Sequence, residues 1–235
     1  MCGRYRLSRR KPAIEEHFDV SSDAEEWEPR FNIAPTQSVP IIRQHPKEPR
    51  RDLSRMHWGL VPSWARDASG AAGMINARAE TAANLPAYRE GFRLRRCLVP
   101  ADGFYEWQSK GPKKQPFCTV INDDELFAFA GLWDRWRTSD GRWIRSFCIL
   151  TTTPNTVTSV IHDRMPVILP QEDYDLWLDP GMQNAAVAAD LLKPFDPKYM
   201  RCYPVSNRVN HVLNDDAECA DPIVLESLAQ GTLFE

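Results

Sequence analysis

The spacing of hydrophobic and polar residues changes along the chain, and each pattern predicts a different kind of element. Between residues 95 and 153, β-branched and aromatic runs alternate with turn residues, which predicts five successive short strands. Apolar residues three or four positions apart predict short helices at 11–18, 172–178 and 184–192. A further short helix is predicted to start at Thr153, which precedes a proline, and to end at Val160.

Strands are also predicted outside the central region. They lie at 2–7, 38–43, 74–81 (where the strand enters a short helix), 162–169, and at one edge within 203–212. Strands separated by short turns, without long alternating helices, favour an antiparallel sheet or barrel over repeated βαβ units. We therefore expect a compact β-rich α+β fold with a barrel-like core and a few short helices. No repeat or linker interrupts the sequence, so a single domain over 1–235 is expected.

Composition narrows the possible functions. The net charge of −3 disfavours a histone-like nucleic-acid binder, so any such binding needs a local basic groove. Six widely spaced cysteines, with no CxxC pair and no secretory leader, indicate a reducing cytoplasmic compartment and mostly buried free thiols. No apolar run approaches the ~18 residues of a membrane span. Histidines and cysteines show no metal-ligand spacing and no phosphate or dinucleotide loop is present, so no metal or cofactor is expected.

The first candidate for chemistry is Cys2. Removal of Met1 would make it the first residue, which joins a free α-amine and a thiol in one 1,2-aminothiol. Both groups are partly deprotonated near neutral pH, and together they can condense with an aldehyde and close a five-membered thiazolidine ring. The alternative is that Cys2 is a small residue in a frayed terminus.

Glu106 and His162 are candidates for proton transfer. Glu106 lies between Tyr105 and Trp107, and a carboxyl group among aromatic rings tends towards a raised pKa, as suits a general acid or base. The alternative is that strand alternation points it to solvent. His162 follows an apolar stretch, where the alternative is a structural, hydrogen-bonded histidine.

Asn76 and Arg78 are two positions apart and face the same way if they lie in a strand. The alternative is a helix N-terminus with a capping asparagine and an exposed arginine.

Six short blocks resemble one known family. They are MCGRY at the N-terminus, FNIAPTQ, WGLVPSWA, INARAET around Asn76, FYEW around Glu106, and HDRMP at His162. In this order, and with one block fixed at position 2, they closely resemble the SOS-response-associated peptidase (SRAP) family from Cys2 to about Leu169, with weaker likeness through 204–206. The resemblance implies a compact β-rich fold. It also implies a DNA-damage sensor that crosslinks itself to abasic sites in single-stranded DNA.

The same resemblance implies roles for the candidate residues. The Cys2 amine would form a Schiff base with the deoxyribose aldehyde and its sulfur would close the ring. Glu106 would shuttle protons, His162 would protonate or orient the opened sugar, and Asn76 would hold the Cys2 terminus. The imine could also permit strand scission, an AP-lyase activity.

DNA contacts are implied by the same likeness. Arg4, Arg78 and Arg164 would bind phosphates, which suit guanidinium groups. Trp64 and Pro40 would stack on, or wedge between, bases beside the lesion. For Trp64 the alternative is an ordinary core position.

Two other functions are open at this point. One is a cysteine peptidase whose substrate is limited to its own Met1–Cys2 bond, with the same catalytic residues. The other is a non-covalent single-strand binding module in which Cys2 is incidental. We expect a monomer that acts at the nucleoid and has no membrane partner.

Overall fold

The computed structural model describes residues 2–22, 26–45, 48–109, 114–122 and 124–225. The strands within them are β1 Arg4–Leu7, β2 Arg30–Ile33, β3 Ser38–Gln44, β4 Arg51–Trp58, β5 Asn76–Arg78, β6 Arg96–Ala101, β7 Gly103–Gln108, β8 Gln115–Ile121, β9 Phe127–Arg137, β10 Trp143–Thr152, β11 Met165–Pro166, β12 Ile168–Leu169 and β13 Met200–Pro204. The α-helices are α1 Lys11–Phe18, α2 Ala79–Ala82, α3 Arg89–Leu94, α4 Tyr174–Leu178 and α5 Ala185–Asp190.

Five of these strands close into a barrel. Strand β10 pairs with β4, β4 with β3, β3 with β6, β6 with β9, and β9 again with β10. A second sheet has the order β13-β8-β7-β1-β2. The expected β-rich fold with a barrel-like core is confirmed. Most strand pairs are antiparallel, as expected, and β4 and β5 both run parallel to β10.

The second sheet packs against the barrel through aromatic residues. The Tyr5 ring on β1 meets the rings of Trp58 and Phe129 edge-on, at 5.2 and 5.8 Å between centroids. Trp58 in turn stacks on Phe147 at 6.3 Å. All four side chains are fully buried, and such contacts add to the free energy gained from burial. These aromatic contacts hold the start of β1, and with it the N-terminal segment, between the two sheets.

Helix α1 has the predicted bounds and buries Ile14 and Phe18, as the apolar spacing predicts. Pro12 lies in its first turn, where its missing N–H costs no hydrogen bond. The helix ends at Asp19, which adopts the left-handed conformation with φ 46°.

The prediction of a helix from Thr153 to Val160 is wrong. The segment forms hydrogen-bonded turns, because the Asn155 side-chain oxygen accepts the backbone N–H groups of Val157 and Thr158. An asparagine that bonds to nearby backbone in this way competes with helix formation. Strands β2 and β4 and helix α3 were not predicted from the sequence. The strand predicted at 162–169 begins only at Met165, and a turn precedes it.

All six cysteines are free thiols, and five of them are buried, as predicted. In the part of the chain that the structure describes, no helix combines the length and the hydropathy that a membrane crossing requires. The same residues contain no group of three or more histidine, cysteine or acidic side chains placed to hold a metal ion.

Candidate active site

The N-terminal segment is held inside the protein. Cys2 is fully buried, and β1 follows it immediately between β2 and β7. The side-chain N–H of Asn76 donates to the Cys2 carbonyl oxygen at 2.8 Å, and the Cys2 thiol lies 3.9 Å from the Arg4 carbonyl oxygen. A frayed terminus has none of these contacts, so that interpretation of Cys2 is wrong.

Asn76 reaches Cys2 from strand β5. It pairs in parallel with Ile149 of β10, and its carbonyl oxygen accepts the Tyr88 hydroxyl at 3.4 Å. Because Asn76 and Arg78 lie in a strand, the helix-cap alternative is wrong for Asn76. Its side-chain Oδ1 is buried and accepts no hydrogen bond from the described residues. The side-chain nitrogen of Asn76 therefore holds the Cys2 backbone, and its side-chain oxygen remains able to accept a hydrogen bond from a further group.

Glu106 is brought to the same place by the pairing of β1 with β7. Arg4 lies opposite Tyr105 and Tyr5 opposite Phe104, so continuing the register by one residue places Gly3 opposite Glu106. The Glu106 side chain is buried, with 5% of the residue exposed, so the solvent-facing alternative is wrong. Burial raises the pKa of its carboxyl group, against the opposing effect of the His162 imidazole.

The Cys2 thiol and the Glu106 carboxylate act on each other. Burial raises the pKa of the Cys2 thiol far above its ordinary value, and the negative charge of Glu106 raises it further. A neutral thiol beside a carboxyl group that holds its proton unusually tightly is suited to proton exchange between the two.

His162 lies in the turn that precedes β11. Its Nδ1 accepts the Arg164 backbone N–H at 3.0 Å and lies 2.9 Å from a carboxylate oxygen of Asp163. These contacts orient the ring. Its side chain remains 28% exposed, so the imidazole sits at the boundary between the buried pair and solvent.

The three candidate DNA-binding arginines differ in their surroundings. Arg4 donates to the Asn32 side chain at 2.8 Å and to the Val209 carbonyl oxygen at 2.7 Å. Arg164 is clamped by both carboxylate oxygens of Glu80 at 2.7 and 2.8 Å. Arg78 is exposed, and no hydrogen bond or ion pair joins its guanidinium to the described residues. Arg78 thus has the guanidinium most available to a phosphate.

Trp64 is 67% exposed, so the core alternative is wrong for it. Two hydrogen bonds to β9 hold its loop in place. The Ser63 N–H donates to Asp134, and the Trp136 indole N–H donates to the Ala65 carbonyl oxygen. Pro40 is different, because it is buried within β3 opposite Arg55. Its burial leaves no surface on which a base could stack, and the structure does not bring Pro40 into this site.

Two further residues support the site and were not assigned this role from the sequence. Glu80, within the INARAET block, holds Arg164. Asn210 accepts the Trp107 indole N–H at 2.7 Å and joins the C-terminal segment to β7. The signal for Glu80 was present in the motif itself, whereas nothing near Asn210 indicates its contact with a strand about a hundred residues earlier.

The sequence profile of the SOS response associated peptidase (SRAP) family matches residues 1–212, and the six blocks lie within that range or at its start. The chain belongs to the SRAP family. It is 40% identical to the abasic site processing protein YoqW of Bacillus subtilis (strain 168), with 93% of this chain and 98% of that protein covered. It is 30% identical to the abasic site processing protein HMCES of Xenopus tropicalis, over 86% of this chain and 69% of that protein.

Solved structures agree with this family placement. A crystal structure of a protein from Bacteroides thetaiotaomicron matches with a TM-score of 0.86 at 30% identity, covering 95% of this chain and 100% of that one. A second, from Bordetella bronchiseptica, matches with a TM-score of 0.74 at 28% identity over 87% of this chain. The fold of this chain is therefore shared with these solved structures over most of its length.

Proposed function

We propose that this SRAP protein processes abasic sites in single-stranded DNA and does so by crosslinking itself to them through Cys2. The observation that carries the proposal is the enclosure of Cys2 by Asn76 and Glu106, which converge from two different strands, β5 and β7, on one buried residue. The names of the YoqW and HMCES relatives, both abasic site processing proteins, support the same substrate.

The first chemical step requires removal of Met1, since the Cys2 nitrogen is otherwise an amide. The freed amine attacks C1′ of the ring-opened deoxyribose aldehyde, and loss of water gives a Schiff base. The Cys2 sulfur then adds to the imine carbon, and the thiol proton passes to the nitrogen. The product is a thiazolidine held by two bonds from one residue, with water as the only molecule released.

Protons must move in each of these steps, and Glu106 is the group we assign to move them. Its raised pKa lets it hold a proton nearer neutrality and give it to the departing hydroxyl of the carbinolamine. It can then accept the thiol proton during ring closure. His162, whose side chain is 28% exposed, would protonate or orient the opened sugar, while Asn76 holds the Cys2 backbone in position.

Two enzymatic side activities belong to the same proposal. Cleavage of the Met1–Cys2 bond by the protein itself would supply the free amine, which accords with the peptidase in the family name. Removal of the C2′ proton from the imine would expel the 3′ phosphate and break the strand. A general cysteine peptidase is less favoured, because burial and the Glu106 charge raise the pKa of the thiol, whereas such enzymes need a stabilised thiolate.

The test is to compare protein with a free Cys2 amine against protein carrying an uncleaved N-terminal tag. Intact-mass spectrometry after incubation with an abasic single-stranded oligonucleotide should find the adduct only with the free amine. A tagged protein that crosslinks as fast as the processed one would show that the aminothiol mechanism is wrong. Salt-reversible binding without adduct in either form would instead favour the non-covalent binding module.

A further inference from the structure

A basic cavity opens at one end of the barrel. It measures about 750 Å³, and all five barrel strands contribute to its lining. Six arginines line it, namely Arg43, Arg55, Arg95, Arg96, Arg135 and Arg145. None of its lining residues within the described ranges is acidic, although the whole chain has a net charge of −3. We call it the arginine cavity.

The guanidinium groups of three of these arginines form ion pairs or hydrogen bonds within the protein. Arg43 pairs with Asp52 at 2.6 Å, and Arg95 pairs with Asp134 at 3.3 Å. Arg96 is only 4% exposed, and its guanidinium donates to five backbone carbonyl oxygens and to no carboxylate. The hydrogen bonds of Arg96 are therefore satisfied while its charge remains, which makes the base of the cavity positive.

The other three arginines are exposed and have no carboxylate partner among the described residues. Two of them face each other directly, since Arg145 of β10 is paired with Arg135 of β9. Like charges directly opposite one another destabilise an antiparallel pair. The arrangement is unfavourable for the isolated protein and becomes favourable when an anion lies between the two side chains.

An exposed indole lies at the rim of the cavity. Trp143 is 58% exposed, and the guanidinium groups of Arg135 and Arg137 lie 5.2 and 5.8 Å from its ring centre. These contacts limit the motion of a large apolar ring that remains open to solvent. Aromatic platforms interleaved with guanidinium groups are the combination that binds single-stranded nucleic acid, because bases stack while phosphates pair with the charges.

The arginine cavity is separate from the Cys2 site. Asn76 pairs with Ile149 on β10, whereas Arg145 and Trp143 lie four and six residues earlier on that strand. At about 3.3 Å per residue, the separation along β10 is roughly 13–20 Å.

We propose that the arginine cavity is a second binding surface for single-stranded nucleic acid, with phosphates on Arg55, Arg135 and Arg145 and a base stacked on Trp143. It needs no abasic site and no reaction at Cys2. A strand bound here lies within reach of a strand held at the Cys2 site, so the cavity would hold the protein on single-stranded DNA before a lesion is met.

The test uses the full chain and an intact oligonucleotide, which carries no abasic aldehyde, so that covalent chemistry cannot contribute. Fluorescence anisotropy would measure binding of an intact oligothymidine of about 20 nucleotides over a range of salt concentrations. The Arg135→Ser/Arg145→Ser variant should bind more weakly, and the slope of log K against log salt should become shallower by about 1.4, since each lost phosphate contact on a single strand contributes about 0.7. Trp143→Ala should weaken binding without a comparable change in slope.

The matched control is Arg10→Ser/Arg89→Ser, which removes the same charge from exposed positions outside the cavity. Removal of the opposed pair should not lower thermal stability, so a folding defect will not mimic the result. If the cavity variant and the control change the slope equally, or neither changes it, the proposal is wrong. Equal losses for a duplex and a single strand would contradict the single-strand assignment. Crosslinking of an abasic oligonucleotide by the parent is measured separately, so failure of the aminothiol mechanism would leave this test intact.

Discussion

Asp102 and Glu106 are both buried carboxylates, and they lie four residues apart at the start of and within β7, yet their surroundings differ. Asp102 accepts the Ser8 backbone N–H and hydroxyl at 2.7 and 2.6 Å and lies 3.1 Å from the Arg6 guanidinium. Among the described residues, Glu106 has the Cys2 thiol and the His162 imidazole as titratable neighbours.

Burial raises the pKa of both carboxyl groups, but the kinds of group that oppose this rise differ. Arg6 and the two Ser8 hydrogen bonds act against that rise at Asp102, and all three come from β1 or the residue after it. Asp102 therefore serves to join β1 to β7. Glu106 is flanked by groups that themselves gain or lose protons. The comparison teaches that burial alone does not mark a catalytic carboxylate, whereas the chemistry of its neighbours does.

The largest effect is expected from Glu106→Gln. The amide keeps the size of the side chain and its hydrogen-bonding capacity but cannot transfer a proton. Crosslinking of an abasic oligonucleotide by the processed protein should slow by roughly 10²–10⁴-fold, the usual contribution of a positioned acid–base group. Single-turnover crosslinking rates would measure this, with binding to an intact single strand followed in parallel.

Binding and the urea midpoint should stay near the values of the parent in this variant. Equal crosslinking rates for Glu106→Gln and the parent at every pH would remove Glu106 from the mechanism and leave Cys2 to react unaided.

Asp102→Asn should have the opposite effect to Glu106→Gln, since it should lower stability and leave the crosslinking rate nearly unchanged. It removes one of the two carboxylates that pair with Arg6 and the buried acceptor of the Ser8 hydrogen bonds, and loss of a partner from a buried hydrogen bond typically costs about 1–3 kcal/mol of unfolding free energy. Urea unfolding should show the loss, while the crosslinking rate of the folded fraction should remain close to that of the parent.

Exposed pairs provide the control for this loss. Asp140→Asn, which breaks the exposed pair with Arg142, should leave the urea midpoint close to that of the parent, because solvent screens exposed ion pairs. A crosslinking rate that falls as far in Asp102→Asn as in Glu106→Gln would contradict the division of roles between the two carboxylates.

A smaller effect is expected in the pH dependence of stability. The pKa of Glu106 is raised in the folded state above its ordinary value of 4.5. The stability that its protonated form contributes is fully present below about pH 4.5 and is lost as the pH rises through the folded-state value. Glu106→Gln cannot lose a proton, so its stability relative to the parent should increase from acid to neutral pH. Urea titrations at several pH values measure this difference, and a decrease would contradict the raised pKa.

The features predicted from the sequence are those with local signals. The apolar spacing of α1 predicts Ile14 and Phe18 in the core, and the hydrophobic runs after residue 95 predict β6 to β10 to within a few residues of their bounds. Glu106 was singled out because a carboxyl group among aromatic residues tends towards a raised pKa, although its burial was left open. These successes share one cause, which is that the information lies within about ten residues of the element concerned.

The failures depend on contacts between distant residues. Strand β4 reads as charged and irregular, with Arg51, Arg55 and His57 among its apolar positions, and it is a strand because β3 and β10 pair with it on both sides. Asp102 has no local signal for its contact with Ser8. The sequence also could not distinguish the buried Pro40 from the exposed Trp64, since burial is decided by what packs over each of them.

The last prediction concerns the arginines beside the Cys2 site, which repeat the contrast between the two carboxylates on a smaller scale. Arg78 is exposed and has no acidic partner within hydrogen-bonding distance among the described residues. Arg164 forms an ion pair with Glu80 and also donates to the Thr151 carbonyl oxygen at 2.5 Å.

A guanidinium already neutralised by a carboxylate releases fewer counterions when it meets a phosphate. Arg78→Ala should therefore make the salt dependence of binding to an intact single strand shallower by about 0.7, and Arg164→Ala should change it by less. Adding Glu80→Gln to the parent should free Arg164 and steepen the slope. If the slope stays the same in all three variants, neither arginine contacts a phosphate of the bound strand.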